Sequence, residues 1–276
     1  MKDHHVIICS DLHLCHRDWY GPTGEERLKE WLFAMEKTYV NSPYSHVFML
    51  GDYSLDFWAW DIKGCYLNEG KSYTARFIKE FASRLPAPYQ MLAGNHEQYG
   101  EEKWQELTGN SRKWAKKVGG WLFIGCDNFA GNLDPTEHSD GTYTPTDLAF
   151  IKEQMELYPD TPAILLSHWF ELTKEPQEFF DFLQKEKRIT LLFCGHDHLN
   201  KITDLSEYGA EVSIYHDGNY SYTGKPQEQL WGFCELTLSE EGVAVQYIEP
   251  ATTLPHDPAL HHEERISNIR FFKRRF

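Results

Sequence analysis

Five short apolar runs of strand length each lead straight into a side chain that can bind a metal ion, and that pattern constrains this chain more than any other feature. The runs at 5–9, 46–50, 89–93, 163–166 and 191–194 are followed by Asp11-Leu12-His13, Gly51-Asp52, Gly94-Asn95-His96-Glu97, Ser167-His168 and Gly195-His196-Asp197-His198. A sixth run spans 121–125, and helical patterns separate the runs, which gives an α/β layout. In an open α/β sheet, sites form beyond the carboxyl ends of the strands, so residues far apart in sequence converge there.

The donors are carboxylate, amide and imidazole groups without thiolate, a set that suits hard to borderline ions such as Mn, Fe or Zn. Counted together, Asp11, His13, Asp52, Asn95, His96, His168, His196 and His198 are too many for one ion and match the needs of two. Glycine before Asp52, Asn95 and His196 allows the tight strand-to-loop turns that would aim them into one cleft. Singly, each of these histidines would be read as an ordinary surface or core residue; jointly they are read as a site.

The order DLH, GD, GNHE, SH, GHDH across residues 11–198 resembles the calcineurin-like metallophosphoesterases, whose pattern is D-x-H, G-D, G-N-H-[D/E], H, G-H-x-H. The resemblance implies a four-layer αββα sandwich of two mixed β-sheets flanked by helices. It also implies that Asp11, His13 and His198 hold a first transition-metal ion, that Asn95, His168 and His196 hold a second, and that Asp52 bridges them. The pair would be divalent or mixed-valence, Mn, Fe or Zn, with Mn favoured in vitro. A hydroxide bridging the ions would attack the phosphorus, and His96, facing the substrate, would assist the leaving group.

Two departures narrow the branch. Leu55 stands where protein phosphatases carry the aspartate that orients the catalytic histidine, and no arginine follows; it also stands where purple acid phosphatases need a tyrosine ligand. Asp56 or Glu97 could orient His96 instead. The remaining resemblance is to the broad cyclic-nucleotide-phosphodiesterase-like branch. The expected activity is hydrolysis of a small phosphomonoester or phosphodiester, with a metal-dependent nuclease or a non-catalytic scaffold of the same fold as alternatives.

Charge bears on that choice. With 27 Lys and Arg against 42 Asp and Glu the net charge is −15, which disfavours nucleic acid as a partner, since holding a phosphate backbone needs a basic face. A metal pair would reverse the sign locally and admit a small phosphoester. Six scattered cysteines without a CxxC pair, no signal-peptide pattern and no apolar stretch of membrane-spanning length lead us to expect a cytoplasmic protein with no membrane partner; oligomeric state stays open.

Other expectations follow from local patterns. Residues 1–276 read as one domain, with 200–250 completing the second sheet and 251–276 a tail whose phenylalanines pack on the sandwich. Thr23 and Glu26 form a capping box ahead of an apolar stripe of Leu28, Trp31, Leu32, Met35 and Tyr39. A second helix starts at Thr144 with Pro145 in its first position. The stretches 52–73 and 129–143 read as long functional loops. His16 and Asp18 read as loop residues and Tyr53, Phe57, Trp58 and Trp60 as a pocket floor or as core. Asp197 either holds a ligand imidazole or is solvated, and His216-Asp217-Gly218-Asn219, which follows a late strand, reads as turn chemistry ahead of a reach into the cleft.

Overall fold

The structure is a computed structural model that describes residues 3–15, 23–57, 72–130, 141–221, 231–252 and 264–276. One sheet contains β1 (His4–Cys9), β2 (His46–Met49), β3 (Tyr89–Met91), β10 (Phe233–Leu238), β11 (Gly242–Glu249), β12 (Arg265–Ile266) and β13 (Arg270–Lys273). The other contains β4 (Trp114–Val118), β5 (Trp121–Cys126), β6 (Ala163–Ser167), β7 (Ile189–Cys194), β8 (Asn200–Asp204) and β9 (Ser213–Asp217). Both are mixed: β1, β2 and β3 run parallel while β10 is antiparallel to β1, and β5, β6, β7 and β9 run parallel between antiparallel edges β4 and β8.

The sheets pack face to face through Val6, Ile8, Phe48, Leu166, Phe193 and Leu236. The alternate residues Ile7, Val47 and Met49 face helices α1 (Gly24–Asn41), α2 (Tyr73–Glu80) and α3 (Glu101–Thr108), meeting Trp31, Phe77 and Trp104. On the far side Leu122, Leu165 and Leu192 lie under α4 (Leu148–Leu157) and α5 (Gln177–Lys185). This is the expected helix-sheet-sheet-helix sandwich. Because the parallel strands are buried on both faces, they read in sequence as unbroken apolar runs rather than alternating ones.

The capping box at α1 forms as expected, with Thr23 Oγ1 accepting from Glu26 N and Glu26 Oε2 accepting from Thr23 N. The second helix start does not. The buried Glu175 carboxylate accepts from the Thr146 N–H (3.1 Å) and hydroxyl (2.6 Å), holding that segment out of the helix, so Asp147 caps α4 instead. Residues 200–250 also divide: β8 and β9 extend the second sheet, but β10 and β11 return to the first, because β10 covers the free edge of β1. Within the tail, β13 pairs with β11, so its two phenylalanines alternate; Phe272 packs on the inter-sheet core while Phe271 is exposed. Among the described residues no helix is long and apolar enough to cross a membrane, and Cys9, Cys15, Cys126, Cys194 and Cys234 are buried free thiols.

Candidate metal centre

Main-chain bonds lace the loop beyond β1 to that beyond β2 and the loop beyond β7 to that beyond β6, while the Glu97 carboxylate ties the loop beyond β3 to that beyond β2. The segment after β1 donates from Asp11 N to Gly51 O, from Leu12 N and His13 N to Asp52 O, and from Leu14 N to Tyr53 O. Gly195 N donates to His168 O, which ties the last loop to the one before it across the second sheet. A side chain on Gly94 would run into the Asp52 carboxylate, and one on Gly195 into Ser10 and Asp11. Those two glycines are therefore needed for close approach more than for turning; of the three, only Gly51 has a left-handed φ, at 105°.

All eight candidate side chains meet in this one place. Donor atoms of Asp11, His13 and His198 lie within 4.8 Å of one another, as do those of His13, Asp52 and His96 and those of Asp52, His168 and His196. Asp52 Oδ2 is the shared point, 3.4 Å from His13 Nε2, 3.2 Å from His168 Nε2 and 3.7 Å from His96 Nε2. Asp11 Oδ1 faces His198 Nε2 at 3.1 Å, and Asn95 Oδ1 lies 2.9 Å from His168 Nε2 and 3.0 Å from His196 Nδ1.

The donor chemistry fits a cation. With Nδ1 of His168 donating to Leu50 O at 2.8 Å, its Nε2 turns a lone pair toward Asp52 Oδ2, Asn95 Oδ1 and, at 3.2 Å, His196 Nδ1. Backbone orientation of the second ring nitrogen is how metal-binding imidazoles are commonly held. Without a metal ion a proton serves. Burial opposes charge on His168, but Asp52 outweighs it and raises its pKa to about 10; His13, between Asp11 and Asp52, is raised against burial to about 9. Both carboxylates are held well below their usual range despite burial, Asp11 mainly by His198 and Asp52 mainly by His168 and His96.

The backbone is strained at the same residues. Among the described residues the non-glycine positions with positive φ are Asp11 (53°), His13 (47°), Asp52 (56°), His196 (66°) and His198 (57°). A left-handed backbone costs an L-residue on the order of 1–2 kcal/mol, and such strain concentrates where function over-determines the geometry. Every one of the five is a candidate ligand.

The family model for calcineurin-like phosphoesterases matches residues 4–200, the segment that carries all of these loops. This chain belongs to the calcineurin-like phosphoesterase family. Among solved structures, the chain is similar to a dimetal phosphatase from Danio rerio, with 9% identity and a TM-score of 0.66 over 95% of this chain and 98% of that one. It is also similar to GAP50, the anchor in the inner membrane complex of Plasmodium (12%, TM-score 0.51, 94% and 91%), and to a purple acid phosphatase from yellow lupin, Lupinus luteus (12%, 0.50, 89% and 51%). At these identities the likeness is one of fold. No curated protein matches the chain in sequence.

Neither acid considered as a partner for His96 serves that purpose. Glu97 accepts main-chain N–H bonds from Asp52, Tyr53, Ser54 and Gly94, so it clamps the second motif to the third. Asp56 accepts from Ser72 Oγ, Tyr99 OH and two N–H groups at the start of α2. His96 is placed instead by its own main chain, whose N–H donates to Asp52 Oδ1 at 3.1 Å, and its Nδ1 is buried with no hydrogen-bond partner among the described residues. Burial and the neighbouring imidazoles lower its pKa to about 3, against the pull of Asp52, so the ring is neutral.

Of the two roles open to each in sequence, Tyr53 and Phe57 take the core one, while Asp197 takes a third. Tyr53 and Phe57 are core, the Tyr53 hydroxyl lying 2.7 Å from Met49 O and 2.6 Å from Leu92 O. Asp197 pairs with Lys201 at 2.7 Å and His216 at 3.3 Å. His16, Asp18, Trp58 and Trp60 lie outside the described residues, as does most of both long loops. The turn reading of 216–219 missed that this segment underlies the site: Asn219 Nδ2 donates to His198 O, and the Asp217 carboxylate lies 2.7 Å from Ser10 Oγ. An aromatic wall was also missed, with the half-buried Trp169 ring 4.3 Å from His196 and Phe129 5.6 Å from His168. Trp169 follows directly on His168, so its position was the available signal.

Proposed function

We propose that this chain is a dinuclear-metal phosphoesterase acting on a small phosphomonoester or phosphodiester. Asp11, His13 and His198 would hold one ion, Asn95, His168 and His196 the other, and Asp52 both. The observation that carries the reading is the position of Asp52 Oδ2, within 3.4 Å of an imidazole nitrogen from each set. When bound, such a pair supplies Lewis acidity and lowers the pKa of water. The residues supply the rest. Asp52 and Asp11 stay ionised and fix the donor frame, while neutral Asn95 adds an oxygen without adding negative charge. His96, neutral and with Nε2 on the side of the shared Asp52 carboxylate, would donate an N–H bond to a phosphoryl or leaving-group oxygen.

The net charge of −15 favours a small ester over a polynucleotide. The fold itself carries no catalytic argument, since an anchor protein shares it; the complete donor set does. The deciding test is turnover of an aryl phosphomonoester, an aryl phosphodiester, a cyclic nucleotide and DNA by Mn-loaded protein. Hydrolysis of a small ester is expected, with DNA left intact. Preferential cleavage of DNA would establish the nuclease reading, and metal uptake without any turnover would establish a scaffold.

A further inference from the structure

We propose that Asp217 is a positioning residue that acts on Asp11 through Ser10, as a protonated acid donating to the serine hydroxyl. Ser10 Oγ lies 2.5 Å from Asp11 Oδ2 and 2.7 Å from Asp217 Oδ1, and all three residues are buried. A serine hydroxyl carries one hydrogen, and ionised carboxylates only accept. Two contacts of hydrogen-bond length therefore require one carboxyl group to carry a proton.

Asp11 is not that group. Its Oδ2 also accepts the His196 N–H at 2.9 Å, and its Oδ1 faces the ring nitrogens of His198 and His13. Asp217 has the surroundings of a neutral acid: it is fully buried, and its Oδ2 has no hydrogen-bond partner among the described residues. Burial and the nearby Asp11 charge push its carboxyl well above the usual range. The chain of donation runs Asp217 to Ser10 to Asp11. Its consequence is a division of labour within Asp11, whose Oδ2 is held by two protein donors while Oδ1 is left to the imidazole side. The positioning role rests on Asp11 being a metal ligand; the proton on Asp217 does not.

The test combines infrared spectroscopy with metal binding. In metal-free protein carrying carbonyl-labelled aspartate, wild type should show a carboxylic-acid C=O stretch that disappears in Asp217→Asn. Because asparagine still donates to Ser10, D217N should bind Mn²⁺ about as tightly as wild type in a chelator competition, whereas Ser10→Ala should weaken binding about 10- to 100-fold. Ser10→Cys, a weak donor of similar shape, should also weaken it and stands in if S10A does not fold. An unchanged infrared spectrum in D217N, or wild-type Mn²⁺ affinity in both serine variants, overturns the proposal. A wild type that takes up no Mn²⁺ overturns the metallophosphoesterase reading and the positioning role with it, while the infrared band still locates the proton.

Discussion

Left-handed backbone occurs in two kinds of place in this molecule, and the residues found there differ. At ordinary turns it falls to glycine: Gly119 and Gly120 between β4 and β5, Gly209 before β9, and Gly109 closing α3. At the strand ends of the candidate centre it falls, beside Gly51, to five residues that carry donors: Asp11, His13, Asp52, His196 and His198. Where only a change of direction is needed, glycine provides it without strain. Where a donor must also be presented, the strain is accepted and the surrounding main-chain bonds hold it in place.

The largest effect expected from breaking this arrangement is catalytic. His96→Ala should lower turnover of an activated aryl phosphate by about 10²- to 10⁴-fold, with metal content unchanged by elemental analysis; loss of metal would instead make His96 part of the donor frame. Next comes pH. In metal-free protein, His13 and His168 are raised to about 9 and 10 from the ordinary 6.5, so each contributes stability that is fully present below pH 6.5 and is lost as pH rises through 9 to 10. Metal ions must displace those protons, so Mn²⁺ affinity should rise about tenfold per pH unit for each proton released. Calorimetric titrations between pH 6.5 and 9 check this, and a flat profile would contradict the assigned protonation.

A smaller effect isolates the strain itself. Both His196→Gly and His196→Ala remove the ring, but only glycine relieves a φ of 66°, so in metal-free protein the glycine variant should be the more stable by about 1 kcal/mol. At Glu153, exposed on α4, the same pair should reverse, with alanine ahead by roughly 0.5–1 kcal/mol. Thermal or urea melts of the four variants decide it; the same order at both sites would remove the contrast between the two kinds of turn. The smallest expected effect is at the aromatic wall. Trp169→Ala should raise KM a few-fold, corresponding to about 1 kcal/mol, with kcat little changed, if the exposed part of the ring borders the substrate.

Much of this was legible in the sequence because strands buried on both faces leave continuous apolar runs, and the donors stand immediately after them. The capping box of α1 was legible for a similar reason, being wholly local. What sequence missed depends on partners distant in the chain. Glu175 displaces the start of α4 although it lies 29 residues further along the chain than Thr146. The carboxylate of Asp217 reaches Ser10 across 207 residues. The return of β10 to β1 is likewise a matter of which edge was free, which no local pattern encodes. Glu97 was singled out for the wrong task, because a carboxylate one residue from a histidine suggests a pair, whereas its neighbours are four amide hydrogens from two loops.

The central claim is that these loops form a centre for two metal ions, and its most direct test is metal stoichiometry. Protein stripped with a chelator, reloaded with Mn²⁺ and desalted should carry close to two ions per chain. It should fall to about one or fewer in Asp52→Ala, because both sets share that carboxylate. A wild-type protein that holds one ion or none after reloading, or an Asp52→Ala variant that still holds two, would contradict the account.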